Sequence, residues 1–370
     1  MKIYLDNIVF HLQKAGGISV YWSELSRRLL QSDQMTIFIE QSSESRNIFR
    51  NALSIDKDRL LYEDTIPVQM LRYLPLQRRI EDLYLFHSSY YRICKQKNVV
   101  NIVTVYDFIY EYFRNNMAGF VHGCLKRRAL KYADGIICIS ESTKKDLLKF
   151  YPWVEEKKVK VIHCGVGDNF IPHAKGSIDD DLLPNIFGEK YVLYVGGRSG
   201  HKNFITAIHV LSQLFGFALV LAGGGPLSKA EEKMLNEKLQ NRYHHVKTID
   251  DRTLNMLYNH AFCLLYPSSY EGFGIPLVEA MKCGCPVVTT NTSSIPEVLG
   301  GAGLMVDHID EHAFVQKIKS LENTAFRGEN IEKGYRQARR FSWDTCCQET
   351  LAFYGQTYKK KFDTITMKTK

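Results

Sequence analysis

Short apolar runs alternate with stretches of helical period along the whole chain. In the first half, residues 3–5, 36–39, 102–106, 135–139 and 159–163 read as strands. In the second half, residues 191–195, 218–221, 245–249, 262–266 and 286–290 continue the series. Strands separated by helical patterns predict parallel α/β layers. A polar segment over residues 165–189 interrupts the alternation and reads as the linker. It carries Pro172, Gly176, Asp179, Asp180, Asp181 and Pro184. The chain ends in an amphipathic helical pattern after Trp343 and a basic tail, Lys359, Lys360 and Lys361.

At 370 residues the chain exceeds one ordinary core and suits two domains. Its 45% hydrophobic and 24% charged content is that of a soluble globular protein. The formal charge of +8 favours anionic partners without naming one. No apolar run approaches the span of a bilayer. Residues 1–6 place an acid after a short apolar run, unlike the long apolar region of a signal peptide. Nine cysteines, an odd count with several inside strands, predict reduced thiols and a cytoplasmic site. Cys283 and Cys285 have the only tempting metal spacing. No second Cys or His pair stands at a matching distance, so they read as small packed residues.

The densest chemistry follows the strand at 262–266. That strand ends at a Pro/Ser/Gly turn, and Pro276 is placed as the first residue of a helix running to Lys282. Glu271 then sits on the loop at the strand's carboxyl end, and Glu279 in the first turns of the helix. Both belong to the crevice where open α/β sheets bind ligands. Gly272 and Gly274 allow bare N–H groups to come close to a ligand. Carboxylates accept from sugar hydroxyls, and N–H groups donate to sugar or phosphate oxygens. Either acid alone is equally accounted for by the preference of acids for a helix start. Two acids eight positions apart, bracketing Gly-Phe-Gly-Ile-Pro, carry more.

This stretch resembles the E-x7-E signature of the retaining glycosyltransferases of family four, which have the GT-B fold. The resemblance implies two doubly wound, Rossmann-like α/β domains facing across a cleft. Residues 1–170 would form the acceptor domain and residues 185–340 the nucleotide-sugar domain. Residues 341–370 would return to the first. Glu279 would hold the ribose. Glu271, Gly272, Phe273, Gly274 and Ile275 would hold the donor sugar.

A second loop, Gly196-Gly197-Arg198-Ser-Gly-His201-Lys202, follows a strand and opens a helix. Exposed amides and a helix start suit an anion. Arg198 offers a fork of donors and Lys202 a point charge. From the residues alone, a glycine turn with two solvated surface cations fits as well. The loop is similar to the family's diphosphate clamp, which makes Arg198 and Lys202, with Glu271, the catalytic set. His201 receives no role. Gly223 and Gly224, in Gly-Gly-Gly-Pro, read as a tight turn or as secondary lining of the nucleotide.

Gly16 and Gly17 form a helix-entry turn before residues 21–30. They resemble the family loop that nears the donor phosphates and the acceptor. Tyr106 and Asp107 end a strand where many family members carry His-Asp. Tyr106 removes the imidazole and puts a general base there in doubt. Asp107 and Ser140 also fit capping positions. The three aspartates at 179–181 match the D-x-D metal motif of another glycosyltransferase fold. No strand precedes them, so they read as a solvated charge run. With Arg198 and Lys202 supplying charge, no metal and no cofactor are expected.

Arg72, Arg78 and Arg79 are interleaved with apolar residues, and Lys126, Arg127, Arg128 and Lys131 crowd another segment. An anionic leaflet and a solvated helix face suit these equally. No RNA-binding signature accompanies them, so no nucleic-acid partner is expected. The expected protein is a cytoplasmic hexosyltransferase, peripheral on the inner face of the plasma membrane where the basic clusters meet an anionic leaflet. It would take a nucleoside-diphosphate sugar and a glycan or lipid-linked glycan acceptor, in bacterial surface polysaccharide or glycolipid assembly. The alternatives are an inverting GT-B transferase, a nucleotide-sugar epimerase and a catalytically inactive scaffold. Both donor-side acids and both cations argue against the scaffold; Tyr106 argues for it.

Overall fold

The computed structural model describes residues 1–64, 66–114, 116–173, 186, 190–247 and 249–368. The chain divides into two compact units. One comprises Met1–Gly165 and Trp343–Lys370, the other Val166–Ser342.

The first unit holds a seven-stranded sheet. Its strands are β1 (Lys2–Asp6), β2 (Met35–Glu40), β3 (Leu60–Tyr62), β4 (Tyr84–Ser88), β5 (Val99–Val105), β6 (Gly135–Cys138) and β7 (Val159–Val161). The second unit holds β8 (Tyr191–Val195), β9 (Ala218–Ala222), β10 (Tyr243–Val246), β11 (Cys263–Tyr266), β12 (Val287–Thr290) and β13 (Leu304–Val306). The spatial orders are β3-β2-β1-β4-β5-β6-β7 and β10-β9-β8-β11-β12-β13. Every pairing is parallel, for example Ile3 with Leu85 and Cys263 with Val192.

Parallel strands need helical crossovers, which cover both faces of the sheet and demand near-continuous apolar strands. β4, β5, β6, β8, β9 and β11 are accordingly buried along their whole length. In the second unit, Val192, Leu219 and Leu265 from the sheet meet Ile208, Leu211, Phe314 and Ile318 from the helices. Each such side chain, fully buried, contributes about 1.5–3 kcal/mol. In each unit the strand order reverses once. The reversal falls between β1 and β4 in one and between β8 and β11 in the other, so both have a crevice at the carboxyl ends of those strands.

The last helix, Trp343–Lys368, packs within the first unit. Tyr354 is fully buried and its hydroxyl meets His87 Nδ1. His87 Nε2 lies 2.9 Å from Thr104 Oγ1. Burial pushes the imidazole down to about 3, so it stays neutral. Tyr358 donates to the Leu83 carbonyl at 3.1 Å, and Lys361 pairs with Asp134 at 2.8 Å.

Several boundaries differ from the sequence reading. The first long helix is Gly17–Leu30, four residues earlier than the apolar pattern indicates, with Gly16 as its N-cap. β10 occupies Tyr243–Val246, not 245–249. β3, β4 and β13 went unread. β3 and β13 have three residues each and lie at or near a sheet edge. β4 ends in His87 and Ser88, polar residues buried because both are hydrogen-bonded. Ile275, not Pro276, opens its helix. The start of the predicted linker is fastened to the second unit. The Ile171 N–H donates to Asn255 Oδ1 at 3.1 Å and the His173 N–H to Asn259 Oδ1 at 2.8 Å. Gly176, Asp179, Asp180, Asp181 and Pro184 lie outside the described residues. All nine cysteines are free thiols, and only Cys124 is exposed. No helix of the described residues is long and apolar enough to cross a membrane.

Candidate functional site

The crevice of the second unit is built from the loops that leave β8 and β11. They are stitched together. Asn203 donates through Nδ2 to the Pro267 carbonyl at 2.8 Å and to Ser269 Oγ at 2.7 Å. The Ser269 N–H donates to the His201 carbonyl at 2.7 Å. Asn203 adopts the left-handed region (φ 48°), which Asn tolerates and β-branched residues do not.

This lacing brings Lys202 and Glu271 together. Lys202 Nζ donates to Glu271 Oε1 at 2.5 Å and to the Tyr266 hydroxyl at 3.0 Å. The two charged side chains are 19% and 10% exposed. Burial works against the ammonium charge. The Glu271 carboxylate and Tyr266 outweigh it and raise the Lys202 pKa above its ordinary value. Two of the three ammonium donors are used in these bonds; the third is directed to neither partner.

Glu271 is held at its backbone too. Its N–H donates to Ser293 Oγ at 2.8 Å, and Ser294 Oγ donates to the carbonyls of Glu271 and Phe273 at 2.9 and 3.1 Å. Ser293 has φ 49°, a strained conformation of the kind that collects at ligand sites. Gly274 caps the following helix at φ +95°, where a Cβ would meet Leu277 Cδ1 at 2.9 Å. Glu279 lies on that helix and accepts from the Tyr258 hydroxyl at 2.9 Å. Burial pushes its carboxyl up to about 7; Asp251 adds to the rise and Tyr258 opposes it.

Of the two sequence readings of Arg198, the solvated surface cation does not hold. Its side chain is 6% exposed and is no surface cation. Nε pairs with Glu231 at 2.8 Å. Nη1 donates to the Gly223 carbonyl at 3.1 Å, and Nη2 donates to Gly225 and Pro226 at 3.1 and 2.7 Å. Gly223, Gly224 and Gly225 have φ of 80°, 77° and 75° in succession, a path that only glycine follows without strain. A Cβ on Gly224 would sit 2.4 Å from Arg198 Nη1 and 2.7 Å from the Gly196 carbonyl. Arg198 therefore shapes the glycine loop. Tyr194, below both loops, donates to the Gly197 carbonyl at 3.0 Å. Burial raises its phenol pKa, and the charges of Lys202, Glu271, Arg198 and Glu231 all act on it.

On the first unit, Gly16 caps Gly17–Leu30, and the Ser19 hydroxyl donates back to its carbonyl at 2.9 Å. Tyr106 is buried and burial holds its phenol pKa well above 10, so it is no base at neutral pH. Asp107 Oδ1 accepts from the Ile109 N–H at 3.0 Å, a turn cap. Ser140 caps Glu141–Phe150 through the Thr143 N–H. The basic clusters are partly withdrawn from solvent. Lys126 is fully buried and donates to the Asp107 carbonyl at 2.8 Å and to Glu111 at 2.9 Å. Arg128 donates to the Tyr73 carbonyl at 2.7 Å, and Arg72 lies over the Tyr73 and Tyr90 rings. Arg78, Arg79, Arg127 and Lys131 stay exposed. Among the described residues no group of three His, Cys, Asp or Glu stands close enough to hold a metal ion.

Sequence reasoning missed Tyr258, Tyr266, Asn203, Glu231, Ser293 and Ser294. Tyr266 and Ser293–Ser294 carried a usable signal, since they follow or end strands at the crevice. Tyr258 and Glu231 lie within helices and carried none.

Residues 184–338 match the family described as Glycosyl transferases group 1, and residues 15–170 match Glycosyltransferase Family 4. The chain is 28% identical over 239 residues to O-antigen chain mannosyltransferase B of Escherichia coli. That match spans 61% of this chain and 61% of the relative's length. In fold it is similar to the sucrose-phosphate synthase of Thermosynechococcus elongatus (TM-score 0.74, 19% identity, 97% and 100% of the two chains). It is similar to Anabaena Alr3699/HepE in complex with UDP and glucose (TM-score 0.74, 17% identity, 96% and 100%). With a family match on each half, two doubly wound units and these fold relatives, the chain belongs to the group 1, family-four glycosyltransferases of GT-B fold.

Proposed function

We propose that this protein transfers a hexose from a nucleoside-diphosphate sugar to an acceptor hydroxyl, with retention and without a metal ion, in bacterial surface polysaccharide or glycolipid assembly. The observation that carries the reading is the Lys202–Glu271–Tyr266 cluster at the reversal between β8 and β11. The O-antigen mannosyltransferase relative supports the polysaccharide setting. The fold neighbour holding UDP and glucose supports a nucleotide-sugar donor.

The bond between the sugar's anomeric carbon and the diphosphate breaks, and the diphosphate oxygen takes the electron pair. Lys202 and the amides of the Gly196–Gly197 loop stabilise the charge that develops there. Glu271 orients Lys202 and accepts from a sugar hydroxyl. Glu279 in its ionised form accepts from the ribose hydroxyls. The acceptor oxygen bonds to the anomeric carbon on the face the diphosphate leaves, and its proton passes to the departing diphosphate. Arg198 contributes by holding the Gly223–Pro226 turn in shape.

A thermal-shift panel of nucleoside diphosphates and their sugars tests the reading. A ligand at 100 times its Kd stabilises by about 2.7 kcal/mol. The expected result is a rise in Tm with one base only. A flat panel across all bases would overturn the donor assignment.

A further inference from the structure

The second unit has another cavity, of about 530 Å3, whose lining includes no residue of the loops that leave β8 and β11. Its size falls within the roughly 300–1,000 Å3 of small-molecule sites. All its lining residues belong to this one unit. It lies where the ends of the helices Ile275–Lys282 and Thr324–Ala338 meet the stretch from Val166 to Pro172. Val166 pairs with Ser342 in a parallel bridge, which sets the chain on either side of the cavity. Gly284, at φ +75°, leaves the space that Tyr335 needs; a Cβ there would collide with its hydroxyl.

Tyr335 and Arg339 stand one helical turn apart, on one face. Arg339 is exposed and Tyr335 half-buried. Among the described residues, neither side chain makes a hydrogen bond or an ion pair. Lys282 Nζ donates to the Gly167 carbonyl at 2.9 Å and lies 3.7 Å from Asp168, whose carboxylate is 91% exposed. The carbonyls that end the longer helix are already taken. Those of Tyr335, Gln337 and Ala338 accept from the N–H groups of Arg339, Arg340 and Phe341. The lining is therefore rich in open donors, and it sets two cations, Lys282 and Arg339, against one acid, Asp168. Phe341, Val166 and Pro172 complete it with apolar surface.

A guanidinium fork meets an oxyanion with two bonds at once, and an ammonium adds a point charge. Two cations match the double charge of a phosphate monoester better than the single charge of a carboxylate. We propose that this cavity binds a small oxyanion carried on an apolar ring, an aryl phosphate in class. Arg339 and Lys282 meet the phosphate, Tyr335 donates to it, and the ring lies against Phe341 and Pro172. Phe341 also meets Phe273 edge-on, at 5.4 Å and 83°. The occupant thus shares a wall with the loop that carries Glu271, but the proposal does not depend on the transferase reading.

The test is isothermal calorimetry on the full chain with phenyl phosphate, inorganic phosphate and benzyl alcohol, in the absence of nucleotide. Phenyl phosphate should bind roughly tenfold or more tightly than either fragment, because the charged and apolar contacts add. Arg339→Gln should weaken it by roughly tenfold or more, the range of a lost hydrogen bond to a charged group. Tyr335→Phe should weaken it by roughly three- to tenfold, the range of one lost neutral hydrogen bond. Both variants should melt with the wild type, since Arg339 has no partner to lose and Phe keeps the ring of Tyr335. A Tyr335 that serves packing alone would leave the affinity unchanged. Inorganic phosphate bound as tightly as phenyl phosphate overturns the apolar ring, and benzyl alcohol bound as tightly overturns the anion. Phenyl phosphate that the wild type does not bind, or that both variants bind as the wild type does, as for a phosphate held at Lys202, overturns the site.

Discussion

The two units repeat one topology, and their crevices differ in kind. Between β8 and β11 the charged groups are already partnered, Lys202 with Glu271 and Arg198 with Glu231. In the first unit one group of charges is buried at the end of β1. Arg92, with a fully buried side chain, joins Asp6 at 3.1 Å and Glu63 at 2.8 Å. The crevice at the strand ends carries Arg72 and Asp107 in its lining, beside four tyrosines. An anion-binding site benefits from charges held in place before the ligand arrives, because reorganisation then costs little during the reaction. A crevice walled by tyrosines offers shape and aromatic faces in place of a fixed ion pair. The same strand order supports both because the loops, not the sheet, carry the chemistry.

The sharpest way to break this comparison is Lys202→Met. Turnover should fall by roughly 10²-fold or more, as when a preorganised electrostatic donor is lost. Stability should also fall, by up to about 3 kcal/mol, because a largely buried ion pair loses one partner. Steady-state transfer and thermal melting measure the two effects. A variant with wild-type turnover would remove Lys202 from the reaction.

Gly224→Ala probes the loop that Arg198 shapes. Positive φ and a Cβ only 2.4 Å from the guanidinium predict a loss of about 1–3 kcal/mol and weaker nucleotide binding. Denaturant titration and isothermal calorimetry should both register it. An unperturbed loop would mean that Arg198 can let go of it freely.

Glu279 gives a pH signature. Its folded pKa, raised from 4.5 to about 7, means that the protonated form favours the fold. That contribution is complete below pH 4.5 and is lost as pH rises through about 7. Nucleotide affinity runs the other way, because the ionised carboxylate is the better acceptor. Between pH 6 and 8 it should rise by at most roughly tenfold, and Glu279→Gln should flatten the rise. Affinity that falls over that range in the wild type would contradict the ribose role.

The smallest expected effect is that of excess EDTA, which should leave transfer unchanged. Loss of activity restored by Mn²⁺ or Mg²⁺ would bring the aspartates at 179–181 back into question.

The donor side was the more legible in the sequence. Glycines punctuate both of its loops and prolines one of them, and each loop follows an apolar strand, so Lys202 and Glu271 could each be placed on a loop at a strand's end. Their partners could not. Tyr258 reaches Glu279 across 21 positions, and Ser293 reaches Glu271 across 22, contacts that only the folded sheet creates. Arg198 read as a diphosphate contact or as a solvated cation, because nothing in its local pattern marks a guanidinium turned inward onto three carbonyls. On the other unit, Tyr106 was visible as a strand end. His122 sits mid-helix, where one buried polar residue looks like any helix face. β4 was hidden because its polar end is buried through bonds to residues as distant as Tyr354.

The central claim is donor cleavage at the Lys202–Glu271 cluster. It is tested most directly by measuring nucleoside diphosphate released from a panel of nucleotide sugars, with wild type and Lys202→Met side by side. The account predicts release from one nucleotide sugar by the wild type and at most about 1% of that rate in the variant. Release at equal rates by both proteins, or no release from any donor that the wild type binds, would contradict it.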